Sequence, residues 1–94
     1  MAWIALNLSL PFHGDPDFQE ALLFHLFRHV DRVDVTTLDY GQVLIEATRE
    51  TACRIMSECS LVRSIGDRIY SESEQAAFMT SRRVVVRSSA LVEH

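Results

Sequence analysis

The chain has 94 residues, 48% of them hydrophobic, and a formal net charge of −4. This length fits one domain with a modest core, because a chain of this size buries only ~60–65% of its unfolded surface. The acidic balance argues against a direct nucleic-acid binder, which needs basic surface to displace counterions. It is compatible with a soluble protein or with one that meets a basic partner.

The N-terminal residues 3–10 alternate between apolar and small or polar side chains, which predicts a half-buried strand. Its inward-facing positions are Ile4, Leu6, Leu8 and Leu10. Pro11 ends this strand, because proline donates no ladder hydrogen bond. The segment has no basic start and is too short to span a bilayer, so we expect a cytoplasmic protein without membrane contact.

The first helix is predicted from Asp15, a candidate N-cap followed by Pro16, to about Val30. Its core-facing arc comprises Leu22, Leu23, Leu26, Phe27 and Val30. Phe24 lies between Glu20 and Arg28 on the side away from this arc. A helix that is apolar on most sides often has a second partner, so Phe24 is a candidate interface residue. The alternative is that the C-terminal extension covers it.

The middle of the chain predicts a hairpin and a second helix. Residues 32–39 alternate, Tyr40-Gly41 turns the chain, and residues 42–47 return as a third, antiparallel strand. Thr48 is the predicted cap of the second helix. The apolar positions of this helix are Ala52, Ile55, Met56, Cys59 and Val62. Its end lies between Cys59 and Gly66.

With residues 67–73 as a fourth strand, the order is strand, helix, strand, strand, helix, strand. This order predicts an α+β fold of the ferredoxin-like split βαβ plan, a four-stranded antiparallel sheet with both helices on one face. We assign residues 1–70 to this core and residues 71–94 to a C-terminal extension packed on the same domain.

The extension leaves two alternatives for the closing strand. Ser71 and Glu74 match a capping box before a short helix over residues 74–80, and residues 82–88 are rich in β-branched side chains. Residues 82–88 are either the true fourth strand, with residues 67–71 in a connection, or a fifth strand at a sheet edge. On such an edge, the arginines at 82, 83 and 87 either prevent aggregation or dock an acidic partner.

Catalytic and metal patterns are sparse. Cys53 and Cys59 project roughly 120° apart on one helix and cannot bridge to each other. His25 and His29 are one turn apart, a spacing that suits two metal ligands, whereas His13 lies more than roughly 12 Å away along the axis. Nothing local completes a ligand shell, so we assign no metal and no cofactor. The histidine pair remains a weak candidate, and partly solvated helix-edge rings are the preferred interpretation.

The sheet face without helices carries no aromatic residue on its central strands, which argues against RNA binding by base stacking. Its predicted side chains are Ala5, Asn7, Ser9, Asp34, Thr36, Gln42, Leu44 and Glu46. Such a face could instead pack against a second sheet in a dimer. Trp3, at the start of the first strand, either covers the core or walls a ligand cleft.

The plan resembles the ACT-type regulatory domains that sense small molecules, and also the dimeric α+β barrel proteins. In the ACT type, a ligand site lies where strand one meets helix one. The matching stretch is "PFHGDPDF", which implies a small-molecule effector site at His13, Gly14 and Asp15. The barrel resemblance implies a small enzyme with His25 or His29 as acid–base in a cleft closed by Trp3.

We therefore expect a non-enzymatic protein–protein interaction or regulatory module that acts as a homodimer or complex subunit. The predicted interface residues are Phe24, His25, Arg28, His29, Arg83, Val85 and Arg87. The alternatives are the ACT-like sensor, the dimeric-barrel enzyme, and a compact acidic phage-type inhibitor that docks on a basic, nucleic-acid-binding surface. No catalytic residue is assigned.

Overall fold

The computed structural model describes residues 2–10, 14–74 and 83–89. The strands are β1 (Trp3–Leu8), β2 (Arg32–Asp34), β3 (Gln42–Glu46), β4 (Val62–Tyr70) and β5 (Val85–Arg87). The helices are α1 (Pro16–Leu26), α2 (Arg49–Glu58) and a single 3₁₀ turn (Leu38–Tyr40). The strands form one sheet in the order β4-β1-β3-β2-β5, and each neighbouring pair is antiparallel.

The predicted α+β class with an antiparallel sheet is confirmed, but the finer ferredoxin-like assignment is not. The described residues form five strands, whereas the simple split βαβ plan has four. β4 pairs with β1 at one edge, and β5 pairs with β2 at the opposite edge. Of the two alternatives for the C-terminal segment, the edge strand is therefore correct. The division into a core of residues 1–70 and an extension of residues 71–94 stays a prediction.

Helix α1 begins as predicted and ends earlier than predicted. The Asp15 carboxylate accepts a hydrogen bond from the backbone N–H of Asp17 at 2.9 Å, and proline occupies the first turn. Beyond Leu26 the backbone N–H groups of Arg28 and His29 bond to carbonyls three residues back. The α-helix therefore tightens into a 3₁₀-like turn before Val30, as helix ends commonly do.

The predicted strand over residues 32–39 is wrong beyond Asp34. The Asp34 carboxylate accepts from the backbone N–H of Thr36 at 2.9 Å, which closes a local turn. Such a side-chain bond competes with the hydrogen bonds between strands. The strand therefore ends at Asp34, although the alternation of apolar and polar residues continues in the sequence. The 3₁₀ turn follows, and Gly41 ends it with a φ of 75°.

One helix assignment and two inward assignments are also wrong. Val62 is buried as predicted, but it is the first residue of β4 and not part of α2, because the backbone at Cys59 is already extended. Met56 is 39% exposed and Leu10 is 55% exposed, although both were predicted to face the core. Leu10 lies beyond the end of β1, past the last residue that pairs with β3 or β4.

Both faces of the sheet are buried at their centres. Ile4, Leu6 and Ile45 point to the helices and pack with buried residues of α1 and α2 in one core cluster. The opposite face holds a second, smaller cluster of Trp3, Ala5 and Leu44. Alternation along β1 thus sends Trp3 and Ile4 to opposite sides. No described helix has the length and apolar character needed to cross a membrane.

Candidate functional site

The outer stripe of α1, which we define as Glu20, Phe24 and, in the turn just beyond the end of the helix, Arg28, lies nearly opposite its buried side. Leu22, Leu23 and Leu26 are buried, whereas all three stripe residues are exposed. Spacing of four residues places Glu20 and Phe24 along one line of α1, and Arg28 follows four residues later in the 3₁₀-like turn. The Phe24 side chain is 66% exposed, and its ring meets the His25 ring edge-on at 6.4 Å. The prediction that Phe24 points away from the core is confirmed.

A groove of about 260 Å³ lies beside this stripe, between α1 and α2. Its lining residues are His25, Arg28, His29, Ile55, Glu58 and Cys59. His29 Nε2 lies 2.8 Å from Glu58 Oε2, so a contact across the groove joins the ends of the two helices. The groove thus brings together three of the predicted interface residues with three that were not predicted for the interface, Ile55, Glu58 and Cys59.

His25 on α1 and His29 just after it share this groove, but the described residues do not complete a metal site around them. Among the described residues, no group of three or more histidine, cysteine or acidic side chains is placed to hold a metal ion. His29 is mostly buried and paired with Glu58, while His25 is exposed. Cys59 is buried, and both cysteines are free. The histidine pair therefore gains no third ligand from the described part of the chain.

A second polar site, the Trp3 cluster, occupies the sheet face opposite the helices. We define it as Trp3, Arg32, Asp34, Glu46, Glu72 and Arg83. Trp3 is fully buried, and the guanidinium carbons of Arg32 and Arg83 lie 5.2 and 4.7 Å from its ring centroid. These distances are in the range of cation–π attraction. The Trp3 indole N–H donates to Oε2 of Glu72.

The two arginines of the Trp3 cluster are each held by a carboxylate on the sheet. Arg32 Nη1 donates to Glu46 at 2.8 Å, and Arg83 Nε donates to the fully buried Asp34 at 3.1 Å. Arg83 also binds both carboxylate oxygens of Glu72, at 2.9 and 3.4 Å. Hydrogen bonds from Arg83 and then Trp3 lower the pKa of Glu72 from 4.5 to about 2. The Glu72 carboxylate in turn raises the pKa of Arg83.

The C-terminal residues predicted for the interface lie on β5 or just before it. Arg83 directs its guanidinium into the Trp3 cluster, and Val85 packs against the Trp3, Ala5 and Leu44 side chains. Arg87 is exposed, opposite Arg32 in the β2–β5 register. The contacts of Arg83 and Val85 therefore lie within the chain, and their part in an interface stays a prediction.

The residues predicted for an effector site are only partly described. His13 lies outside the described residues, Gly14 has a φ of 72°, and Asp15 caps α1. A hollow of about 410 Å³ is present at the end of β1, and neither Gly14 nor Asp15 lines it. Its lining residues are Leu8, Ser9, Leu10, Asp39, Tyr40, Gly41 and Arg63. The effector site stays a prediction.

One part of the barrel-enzyme interpretation is wrong. A cleft over His25 or His29 would lie on the helix side of the sheet, whereas Trp3 packs on the opposite side with Ala5 and Leu44. Trp3 therefore cannot close such a cleft. The same burial means that the centre of the helix-free face is covered within the chain and does not offer a bare surface to a second sheet.

Sequence reasoning missed Glu72, the residue that links the Trp3 cluster. Its partners Arg32 and Trp3 are 40 and 69 positions away along the chain. Local pattern and spacing carry no signal for contacts at such separations. The neighbouring capping box was predicted and is confirmed, with the Glu74 N–H donating to Ser71 Oγ at 3.2 Å. Most of the predicted helix over residues 74–80 lies outside the described residues.

We compared the chain with protein-family models, with curated proteins and with solved structures, and none of them matches it. The description of the fold, of the outer stripe of α1 with its groove and of the Trp3 cluster therefore rests on the geometry of this chain alone.

Proposed function

We propose that this protein is a non-enzymatic protein-interaction module that forms a homodimer through the outer stripe of α1. We take its first four strands and two helices to follow the ferredoxin-like plan, with β5 as an added edge strand. The observation that carries the proposal is the Phe24 ring, 66% exposed between one acidic and one basic side chain.

The outer stripe is self-complementary. Acidic Glu20, aromatic Phe24 and basic Arg28 follow one another at intervals of four residues, the first two on α1 and Arg28 in the turn that ends it. When two such helices cross antiparallel about a two-fold axis at Phe24, the two rings meet and each Glu20 faces the partner's Arg28. A two-fold interface requires this property, because the same patch must serve both sides.

The stripe charges have no ion-pair partner among the described residues. On α2 the comparable charges of Glu50 and Arg54 are four residues apart and approach to 3.9 Å. Glu20 and Arg28 are eight residues apart, about 12 Å along the axis, and cannot reach each other. A second copy of the chain supplies the missing partner for both.

The expected dimer is weak and depends on concentration. Two α1 helices and the edges of the adjacent grooves bury less accessible surface area than the ~1,200–2,000 Å² of a stable interface. The aromatic pair at its centre supplies most of the affinity, and the rim charges set the orientation. His25 and Arg28, which line the adjacent groove, lie at the edge of this contact.

Charge reversal tests the proposal in sedimentation equilibrium. Glu20→Arg alone and Arg28→Glu alone should each weaken dimerisation, because each places like charges opposite one another. The double variant restores opposite charges across the axis and should recover the dimer. Glu50→Arg on α2 is the matched control and should leave the equilibrium unchanged. A wild-type chain that stays monomeric at high concentration, or a double variant weaker than both singles, would refute the homodimer.

A further inference from the structure

The Trp3 cluster lies on the opposite face of the sheet from the outer stripe and has a geometry that the proposed function does not use. Three donor groups converge on one carboxylate, that of Glu72. They are the Trp3 indole N–H, both terminal nitrogens of Arg83, and Arg32 Nη2 at 3.5 Å. A two-pronged guanidinium bond with a third donor beside it is an arrangement suited to a carboxylate or a phosphate.

We propose that Trp3, Arg32 and Arg83 form a binding site for an oxyanion, and that Glu72 is a built-in occupant that an external carboxylate or phosphate displaces. Glu72 is then an autoinhibitory residue, and the site is open to a ligand only when its side chain leaves. The ligand class is a small oxyanion or the acidic group of a partner chain.

The donors keep their positions when Glu72 is absent. Trp3 is fully buried on β1, Arg32 belongs to β2, and Arg83 lies two residues before β5. Asp34 holds Arg83 at Nε and Glu46 holds Arg32 at Nη1, both from the sheet itself. Neither contact involves Glu72, so the site is preorganised for a replacement anion.

Glu72, in contrast, is attached so that it can leave. Its side chain is 49% exposed, and it lies in a helical turn directly after β4. Its neighbours Ser71 and Glu74 form hydrogen bonds with each other, with Ser73 and with Arg68, all at the protein surface. The carboxylate can therefore move away without breaking a hydrogen bond of the sheet.

The charge balance of the site limits its ligands to a single anionic group, free or carried by a partner chain. Without Glu72, the positive charges of Arg32 and Arg83 are matched by the negative charges of Asp34 and Glu46. The open site has directed hydrogen-bond donors but no net positive charge. It therefore lacks the long-range electrostatic attraction that binding of a polyanion requires. Arg32 Nε is buried and has no hydrogen-bond partner among the described residues.

Tryptophan fluorescence tests the inference directly, because Trp3 is the only tryptophan of the chain. Inorganic phosphate and acetate are titrated separately, at constant ionic strength, into the wild type and into Glu72→Ala. We expect a saturable change in Glu72→Ala, at concentrations about tenfold lower than the wild type requires, because the tethered carboxylate competes at high effective concentration. A response to acetate alone indicates a carboxylate ligand, and a response to phosphate alone indicates a phosphate ligand.

Three variants accompany this titration. Glu74→Ala removes a neighbouring carboxylate outside the cluster and should titrate like the wild type. Glu72→Ala/Arg83→Lys keeps the charge beside Asp34 but loses the two-pronged donor, and its affinity should fall about tenfold. Glu72→Gln, which preserves the side-chain shape, is titrated in parallel with circular dichroism as the fold check. A folded Glu72→Ala or Glu72→Gln without a saturable response, or a response unchanged by Arg83→Lys, overturns the inference.

Discussion

Arg83 donates from Nε to Oδ2 of Asp34 at 3.1 Å, and Asp34 is fully buried on the sheet face that carries no helix. This bond joins the segment just before the edge strand β5 to the last residue of β2, beside a backbone pairing of only three residues. A buried carboxylate requires such a partner, because its removal from water costs several kcal/mol. The basic residue at this edge therefore serves the fold of the chain.

Arg83→Met should destabilise the protein by about 2–3 kcal/mol, because it leaves a buried charge without its cationic partner. The measurement is urea unfolding followed by Trp3 fluorescence and by circular dichroism. The backbone N–H of Thr36 still donates to Asp34, which keeps the loss below that of a carboxylate with no donor at all.

Arg87→Met is the matched control for Arg83→Met, since Arg87 is an exposed arginine only four residues further along, at the end of β5. Its expected cost is within about 0.5 kcal/mol, as is usual for a surface substitution. If both variants lose the same free energy of unfolding, the bond from Arg83 to Asp34 contributes no more to stability than an exposed charge does.

Glu72 should make the stability of the protein sensitive to acid. Its pKa is lowered from 4.5 to about 2 in the folded chain, chiefly by the hydrogen bond from Arg83. A group with a depressed folded pKa stabilises the fold fully above its unfolded pKa and loses that contribution as the pH falls through its folded pKa. The contribution is therefore present near neutral pH and disappears between about pH 5 and pH 2.

The comparison of wild type with Glu72→Gln isolates this effect. We expect a difference of about 1 kcal/mol in unfolding free energy at neutral pH, after discounting for a carboxylate that is half exposed and screened by solvent. Urea unfolding at successive pH values should show the difference shrinking toward pH 2. A difference that stays constant over this range would contradict the role assigned to the Glu72 charge.

Features that depend on neighbouring residues were predictable from the sequence. The caps at Asp15 and Thr48 are confirmed, since each accepts a hydrogen bond from a backbone N–H two or three residues ahead. The inward positions Ile4, Leu6 and Leu8 are confirmed for the same reason, because strand alternation is a local rule. These signals gave the α+β class and located the outer stripe of α1.

Features that depend on distant residues were not predictable in this way. Strand β2 stops at Asp34 because that side chain binds the Thr36 backbone, although the apolar alternation continues past it. The Trp3 cluster joins side chains from β1, β2, β3 and both sides of the β4–β5 connection, so no window of sequence contains it. Glu72 resembles any exposed acidic residue until the fold places two guanidiniums beside it.

Gly41→Ala should cost about 1 kcal/mol through backbone strain alone. Gly41 has a φ of 75° where the 3₁₀ turn meets β3, and an added Cβ would meet no atom within 4 Å. Asparagine tolerates this conformation better than alanine does. Gly41→Asn should therefore lose less stability than Gly41→Ala when both are measured by thermal unfolding. If the alanine and asparagine variants have the same melting temperature, the positive φ is not the reason for glycine at this position.

Phe24→Ala should weaken homodimerisation by about tenfold or more while leaving the thermal stability of the monomer unchanged, because the ring contributes to no core cluster. Sedimentation equilibrium gives the first quantity, and calorimetry at low protein concentration gives the second. Tyr40→Ala is the matched control, since Tyr40 is an aromatic residue 87% exposed in the 3₁₀ turn. The tyrosine variant should associate like the wild type. Equal losses of association in the two variants would indicate general surface hydrophobicity instead of a contact centred on α1. A large loss of monomer stability in Phe24→Ala would mean that the ring stabilises the fold.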